Sequence, residues 1–329
     1  MWQTLEALVD DVSEASLVEA LCPRTRRAGC FACEGGGGRP KRQRLLEGAA
    51  RHETPVGMAL DLSPVAAGHV SVAVIIPYRD QPGKGRAAQL EEFAREICRL
   101  YRVAGRNADF RILVVEQSVD GQKFNRGRLL NAGFDLAHQS GSFNVFIFHD
   151  VDLIPSVELM PYYTSPAPAP VHIAGVWDRY SSSPTYFGGI SAFDAPTFLR
   201  VNGFPNNYWG WGGEDDDLSE RLKECGIATI RPPQGLGGKI RDLENMSLEE
   251  KLSYLRAHPE EKLAGDEKRA LRASTKSVWQ RDGLSSLTGL YAVAAAPVWR
   301  ADDGERVIKI TVNLTPPPPA GAAAGSSSR

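Results

Sequence analysis

From Val70 the chain reads Val-Ser-Val-Ala-Val-Ile-Ile-Pro, a nearly unbroken β-branched apolar run. Such a run predicts a strand buried on both faces, ended here by Pro77. A helical pattern follows from about Gln89 to Val103, and Phe110-Arg-Ile-Leu-Val-Val-Glu116 predicts a second buried strand. Strand, helix, strand implies a parallel pair joined by a right-handed crossover. Phe124 to Ala137 predicts another helix, and Asn144-Val-Phe-Ile-Phe-His149 a third buried strand that closes at Asp150. The expected fold class is therefore α/β with a mostly parallel central sheet, in which ligands collect at the carboxyl ends of strands. Pro77-Tyr78-Arg79-Asp80 and His149-Asp150-Val151-Asp152 both fall at such ends.

The flanks are patterned differently. Residues 1–69 show an amphipathic opening, the glycines Gly35 to Gly38 and the basic run Arg39-Pro-Lys-Arg-Gln-Arg44, which together read as a stem-like or cap region. A basic run beside a glycine tract is read as solvated linker in preference to a nucleic-acid or targeting patch. Residues 316–329, rich in Pro and then in Ala, Gly and Ser, read as a disordered tail. The main domain is thus expected over residues 70–315.

Composition narrows the function classes. A chain of 329 residues with 42% hydrophobic content can bury a sizeable core, and a net charge of −2 gives no electrostatic reason to expect nucleic acid or an anionic membrane as partner. No apolar run is long enough to span a bilayer, and Met1 to Asp11 lacks the basic-then-apolar order of a signal peptide. A secretory anchor is therefore expected outside this sequence or encoded differently. Cys22, Cys30, Cys33, Cys98 and Cys225 make an odd count, so at least one stands outside any intramolecular disulfide. Cys30-Phe-Ala-Cys33 lacks a second metal-binding pair at zinc spacing, and a local disulfide or thiols is the preferred reading. Asn245-Met-Ser and Asn313-Leu-Thr are glycosylation acceptors if the chain is secreted.

The densest chemistry lies between Gly203 and Asp217: Gly-Phe-Pro-Asn-Asn-Tyr-Trp-Gly-Trp-Gly-Gly-Glu-Asp-Asp-Asp. Trp209 and Trp211 offer flat apolar faces suited to a sugar, and Gly210, Gly212 and Gly213 allow tight turns and close backbone approach. Four adjacent carboxylates, Glu214 to Asp217, repel one another, so at least one is expected to have a raised pKa or a cationic, metal or hydroxyl partner. The plain structural alternative is an acidic first helical turn at the positive end of the dipole, with Leu218 and Leu222 on the buried face; both readings can hold together. Asp150-Val151-Asp152 after a buried strand is a second constellation, able to grip a hard divalent cation that in turn binds a diphosphate. Arg79 and Arg126 are candidate phosphate partners, and Tyr78 or Phe124 a stacking surface for a base. For Arg128 a surface position on its helix is the favoured reading.

The run Phe204 to Asp217 closely resembles the signature of the β-1,4-galactosyltransferases. Val74-Ile-Ile-Pro-Tyr-Arg79, Phe124-Asn-Arg126, Leu129 to Phe134, Phe148 to Pro155, Tyr186-Phe-Gly-Gly-Ile190, Asp282-Gly-Leu284 and Ile310 to Leu314 occur in that family's order, so the likeness covers about Val70 to Leu314. The resemblance implies a GT-A-type nucleotide-sugar transferase with residues 70–315 as its catalytic domain, working in the Golgi lumen. UDP-galactose is implied as donor, a glycan as acceptor, and Mn2+ as cofactor with Mg2+ as a substitute. It places Pro77, Tyr78, Arg79, Phe124, Arg126, Asp150 and Val151 on the uridine and phosphate side, and Asp152 at the metal. Tyr186 falls where tyrosine accompanies galactose as donor. Trp211, Gly213 and Glu214 touch donor and acceptor sugars, Gly212 and Asp216 belong to the acceptor side, and Asp215 is the catalytic base. An inverting displacement by the acceptor's 4-hydroxyl follows from these roles, with Trp211 on a loop that closes over the donor.

The chain departs from that pattern in two places. The family's metal-site histidine is missing, since no histidine lies between Gly235 and Lys251. Asp242, Glu244 or Asn245 stand in its neighbourhood and predict a harder, all-oxygen site, with His258 a distant further candidate. Lys268-Arg269 stands where relatives that use N-acetylglucosamine carry an Arg-Phe wall, which leaves the acceptor open. Two other functions compete: a related N-acetylgalactosaminyl or chondroitin-type transferase, and a non-catalytic UDP-sugar-binding module.

Overall fold

The computed structural model describes residues 70–316, apart from 82, 105–107, 141–142, 181–182, 184–185, 237, 296–297 and 300–305. All belong to the unit that begins at Arg51. The stem-like region with its basic run, Cys22, Cys30 and Cys33, and nearly all of the tail lie outside the described residues.

The expected alternation is present. β1 (Val70–Tyr78) leads through α1 (Arg86–Ala104) to β2 (Ala108–Gln117), and α2 (Arg126–Gln139) leads to β3 (Val145–His149). β1 pairs in parallel with β2, Val70 opposite Ala108 through Tyr78 opposite Glu116, and in parallel with β3, Val72 opposite Val145. The predicted second helix begins two residues late, because the Asn125 side chain caps it by accepting the Arg128 N–H at 2.9 Å.

Antiparallel strands complete the sheet. β4 (Leu153–Pro155), a short α3 (Pro161–Thr164), β5 (Val171–His172) and β6 (Ile190–Phe193) follow β3, then α4 (Ala195–Arg200) and α5 (Glu214–Glu224). β7 (Ile240–Asp242), α6 (Leu248–Ala257), α7 (Gly265–Val278), β8 (Tyr291–Val293), β9 (Val298–Trp299) and β10 (Val307–Leu314) finish the described chain. The sheet order is β5-β6-β3-β1-β2-β10-β8, with β9 on β10 and a separate β4–β7 pair. β10 joins β2 in parallel while β5, β6, β8 and β9 run antiparallel to their neighbours, which gives a mixed sheet with a parallel centre.

Both faces of the sheet are covered, as continuous apolar strands require. Val72, Val74 and Ile76 point into one core with Phe93, Ile97 and Tyr101 of α1. Ala73 and Ile75 point into the other, with Leu129 and Phe134 of α2 and Leu218 and Leu222 of α5. Phe134 and Phe148 are fully buried, each contributing roughly 2–3 kcal/mol of transfer free energy. With its hydrophobic face so engaged, α5 is fixed with its acidic N-terminus at the carboxyl edge of β1 and β3.

Candidate active site

At that edge lies a cleft of about 370 Å³. It is bounded by Pro77 to Arg79 after β1, by Phe124 and Arg126 at the start of α2, by Asp150 to Asp152 after β3, and by Gly210 to Asp216 at the start of α5. Tyr186 and Glu244 also face it. Of the residues singled out from the sequence, Asp242, Asn245, His258, Trp209, Asp217, Arg128 and Arg269 do not line it.

The strand ends form one wall. Arg79 donates from Nη1 to the Gln122 carbonyl at 2.7 Å, and its guanidinium lies 5.5 Å from the Phe124 ring centroid. Burial, reinforced by Asp80, raises the Tyr78 hydroxyl to about 12. Arg126 is engaged differently from expectation. Its Nε donates to Asp150 Oδ1 at 2.7 Å and its Nη1 to Glu214 Oε1 at 3.3 Å, so this guanidinium ties the β3 end to the start of α5.

The four adjacent acids are divided among separate tasks. Glu214 and Asp215 face the cleft; both are raised, Glu214 to about 7, by burial first and then by a neighbouring carboxylate. Asp216 turns to Lys268 Nζ at 3.7 Å and Arg272 Nη1 at 3.4 Å on α7. Asp217 is 3% exposed and accepts from Arg221 Nε at 2.6 Å, from the Tyr208 hydroxyl at 3.2 Å and from the Thr275 hydroxyl. Helical periodicity explains the division, since side chains 100° apart cannot share one environment.

The Glu214 shift carries a stability consequence. A carboxyl whose folded pKa lies above its unfolded value supplies stability that is present below the unfolded pKa and lost as pH rises through the folded one. The ligand-free protein is therefore expected to lose stability between the ordinary glutamate value of 4.5 and about 7, by on the order of 2–3 kcal/mol. Glu214→Gln should be more stable than wild type at pH 8 and similar at pH 4, as read by urea unfolding; equal stabilities at pH 8 would refute this account.

Asp215 is held against a glycine. A Cβ built on Gly188 would lie 2.2 Å from Asp215 Oδ2 and 2.9 Å from the Tyr186 hydroxyl. Gly188 is itself fixed by its carbonyl, 2.9 Å from Nε2 of buried His172, whose pKa burial pushes down to about 3. Gly188→Ala is expected to displace the carboxylate and lower turnover by roughly 10²-fold, the scale of a 1 Å misplacement. Near-normal kcat in steady-state assays would contradict it.

The two tryptophans part company. Trp209 is 6% exposed and packs in the core, its ring 4.8 Å from the Arg128 guanidinium. Trp211 is 41% exposed and lines the cleft between Gly210, Gly212 and Gly213, all at positive φ near 100° to 112°. Its backbone is anchored, N–H to the Glu261 carbonyl at 2.8 Å and carbonyl to the Leu263 N–H at 3.2 Å, leaving the ring directed outward. Arg128, expected on the surface, is 2% exposed; it donates from Nη2 to the Asn206 carbonyl at 2.8 Å and from Nη1 to the Thr315 carbonyl at 2.6 Å. It binds the end of β10 to the Gly203–Asp217 loop, a role that needs the closed tertiary fold.

Of the oxygen donors expected at the metal, Asp152 and Glu244 come together, whereas Asp242 and Asn245 do not join them. Among the described residues no three His, Cys, Asp or Glu side chains gather as a ligand set. Asp242 ends β7 opposite Leu153; its carboxylate accepts the Glu244 N–H at 2.9 Å and pairs with Arg179 of the cleft wall without itself lining the cleft. Asn245 is exposed in a left-handed turn at φ 50°. His258 accordingly stays out of the cleft as well, beside the Tyr254 ring. Asp152 and Glu244 do converge: Asp152 Oδ2 accepts from Arg86 Nη1 and Glu244 Oε1 from Arg86 Nη2, each at 2.9 Å. Two oxygen donors around one cationic group is a position that suits a hard cation, which commonly takes one or two carboxylates and completes its shell from phosphate and water. Burial raises Asp152, whereas Lys251, Arg86 and Arg179 overcome burial and hold Glu244 down at about 2.

Several cleft residues were not legible in the sequence. Arg86, Arg179 and Lys251 carry its positive charge, and Trp177 and Tyr180 its aromatic wall, with Tyr180 stacked on Tyr186 at 4.1 Å. The helix expected from about Gln89 begins three residues earlier, which puts Arg86 at its first position, where the dipole disfavours a cation. Lys268 lines the cleft, while Arg269 is exposed and pairs with Asp266.

A parallel-centred α/β sheet whose strand ends open on a cleft of paired carboxylates, guanidiniums and an outward tryptophan is the frame of a GT-A-type nucleotide-sugar transferase. The model of a family described as the N-terminal region of glycosyl transferase group 7 matches residues 56–165, and one described as the N-terminal domain of galactosyltransferase matches residues 169–246. The chain belongs to the β-1,4-galactosyltransferase family. It is similar to β-1,4-galactosyltransferase 1 of Mus musculus, 37% identical over 222 residues, 66% of this chain and 50% of that protein. Similarity to β-1,4-galactosyltransferase 3 of Homo sapiens is 35% over 182 residues, 54% of this chain and 42% of that protein. The chain thus spans about half the length of the curated relatives it matches. Among solved structures, the catalytic domain of Drosophila β1,4-galactosyltransferase 7 in complex with xylobiose aligns with a TM-score of 0.60 at 25% identity, covering 75% of this chain and 95% of that one. A mutant of that enzyme in complex with manganese, UDP-Gal and xylobiose aligns with a TM-score of 0.59.

Proposed function

We propose that this protein is an inverting β-1,4-galactosyltransferase that moves galactose from UDP-galactose to the 4-hydroxyl of a terminal sugar of a glycan, in the Golgi lumen. The observation that carries the reading is the placement of half-buried Asp215, its pKa raised, in the same cleft as the Asp150–Asp152 strand end. A carboxylate partly withdrawn from water and poised above its usual range is suited to take a proton from a hydroxyl. Its Gly188 seat fixes the direction from which the acceptor oxygen approaches.

The remaining roles follow from position. Arg79, Phe124 and Tyr78 form the shelf for the uridine, with a ring for stacking and a guanidinium beside it. Tyr186, stacked on Tyr180 and close to Asp215, shapes the donor-sugar side. Trp211 offers its exposed face to a sugar ring, and the glycines around it allow the loop to move over the donor. Gly212, Gly213 and Asp216 border the acceptor side, with Lys268 replacing an apolar wall. Asp152 and Glu244 are the donors that would hold a divalent ion, and manganese is the ion in the complex of the Drosophila enzyme. When bound, the ion supplies positive charge for the departing diphosphate.

Release of UDP from UDP-galactose tests this directly, with manganese, magnesium or EDTA and a panel of xylosides, glucosides and N-acetylglucosaminides. Acceptor-dependent release that EDTA and Asp152→Ala both abolish is expected. No release with any metal or acceptor, while UDP still binds, would favour the non-catalytic binding module.

A further inference from the structure

We propose that Arg86 is a built-in cation occupying the metal position between Asp152 and Glu244, so that a divalent ion binds only by displacing its guanidinium. The proposal rests on the reading of Asp152 and Glu244 as metal donors. Arg86 spans the two carboxylates with one nitrogen each, both at 2.9 Å, and its side chain is 19% exposed against 15% for Asp152 and 10% for Glu244. Arg86 is the first residue of α1, a position where the helix dipole repels positive charge. The carboxylates, and not the helix, therefore account for its placement.

The charge balance points the same way. Asp152, Asp242 and Glu244 are matched by Arg86, Arg179 and Lys251: Arg179 Nη1 donates to Glu244 Oε2 at 3.0 Å and pairs with Asp242, and Lys251 Nζ donates to Glu244 Oε1 at 2.6 Å. The cluster is thus neutral before any ion arrives. A site that draws in a divalent ion by itself carries excess negative charge, and here that excess has been cancelled by side chains. A nucleoside diphosphate would restore it. Its phosphates give Arg86 and Lys251, both on the cleft wall, new partners and leave the two carboxylates for the ion. Metal binding should accordingly depend strongly on the nucleotide.

Free manganese, followed by the loss of its aqueous EPR signal on titration with protein, tests the competition without reference to turnover. Wild-type protein is expected to bind manganese at least tenfold more tightly with UDP than without. Arg86→Gln should bind it at least tenfold more tightly than wild type in the absence of UDP. Lys251→Met, which removes a cation from the same Glu244 oxygen but leaves the Arg86 contact to Asp152 in place, should shift affinity in the same direction by a smaller factor. Affinity unchanged or weakened in both variants, with wild type binding measurably, would overturn the proposal alone. Failure of every form to bind manganese, with or without UDP, would overturn the metal reading and this proposal together.

Discussion

Asp215→Asn is expected to lower galactose transfer by about 10²–10⁴-fold, the range supplied by one positioned general base, while leaving UDP affinity close to wild type. The amide keeps the size and the seat against Gly188 but cannot take a proton. Binding should survive, because the residues that border the nucleotide shelf, Arg79, Phe124 and Tyr78, make their contacts independently of Asp215. Raised by burial and then by Asp216, Asp215 should also place the acid limb of the rate profile above the pH at which an ordinary aspartate titrates. Steady-state kinetics with parallel UDP titration separates these effects. A loss confined to KM, or a kcat within tenfold of wild type, would remove Asp215 from the role of base.

The second large effect concerns stability. Asp217→Ala should destabilise the fold by ~3–5 kcal/mol, because it takes from the fully buried Arg221 the nearer of its two carboxylates and leaves only Asp282 at 3.6 Å. Arg221 also donates from Nη1 to the Gly203 carbonyl at 3.0 Å and the Asp282 carbonyl at 2.8 Å, so the ion pair fixes the glycine-rich loop and the Asp282-Gly283 turn together. The melting temperature should fall by roughly 10 °C for a domain of this size. Asp216→Ala, whose partners lie on a half-exposed surface, should change it little. If the two substitutions had equal effects on thermal unfolding, the division of labour along the first turn of α5 would be wrong.

Much of the fold was readable because its signals are local. The apolar runs of β1, β2 and β3 are strands that must be covered on both faces, and the Phe204–Asp217 motif marks the cleft through glycines and tryptophans that no core strand or solvated helix calls for. Arg126 and Arg128 illustrate the limit. Both sit on one helical turn, yet one joins Asp150 to Glu214 in the cleft and the other is buried against Asn206 and Thr315. Nothing in their local sequence separates them, because each partner comes from a distant segment.

The same distinction governs the site as a whole. The sequence by itself determined the α/β alternation, the acidic strand end at Asp150–Asp152, the carboxylate block at the start of α5 and the lack of a histidine between Gly235 and Lys251, since each is a matter of residue type and short-range spacing. Only the tertiary structure decided that Asp216 and Asp217 turn to cations while Glu214 and Asp215 face the cleft, that Trp209 is buried and Trp211 exposed, that Asp242 turns to Arg179, and that Arg86 stands between Asp152 and Glu244. Those outcomes depend on charge and packing between elements far apart along the chain, where Coulomb attraction and burial act on distance in space and leave no periodic trace in the sequence.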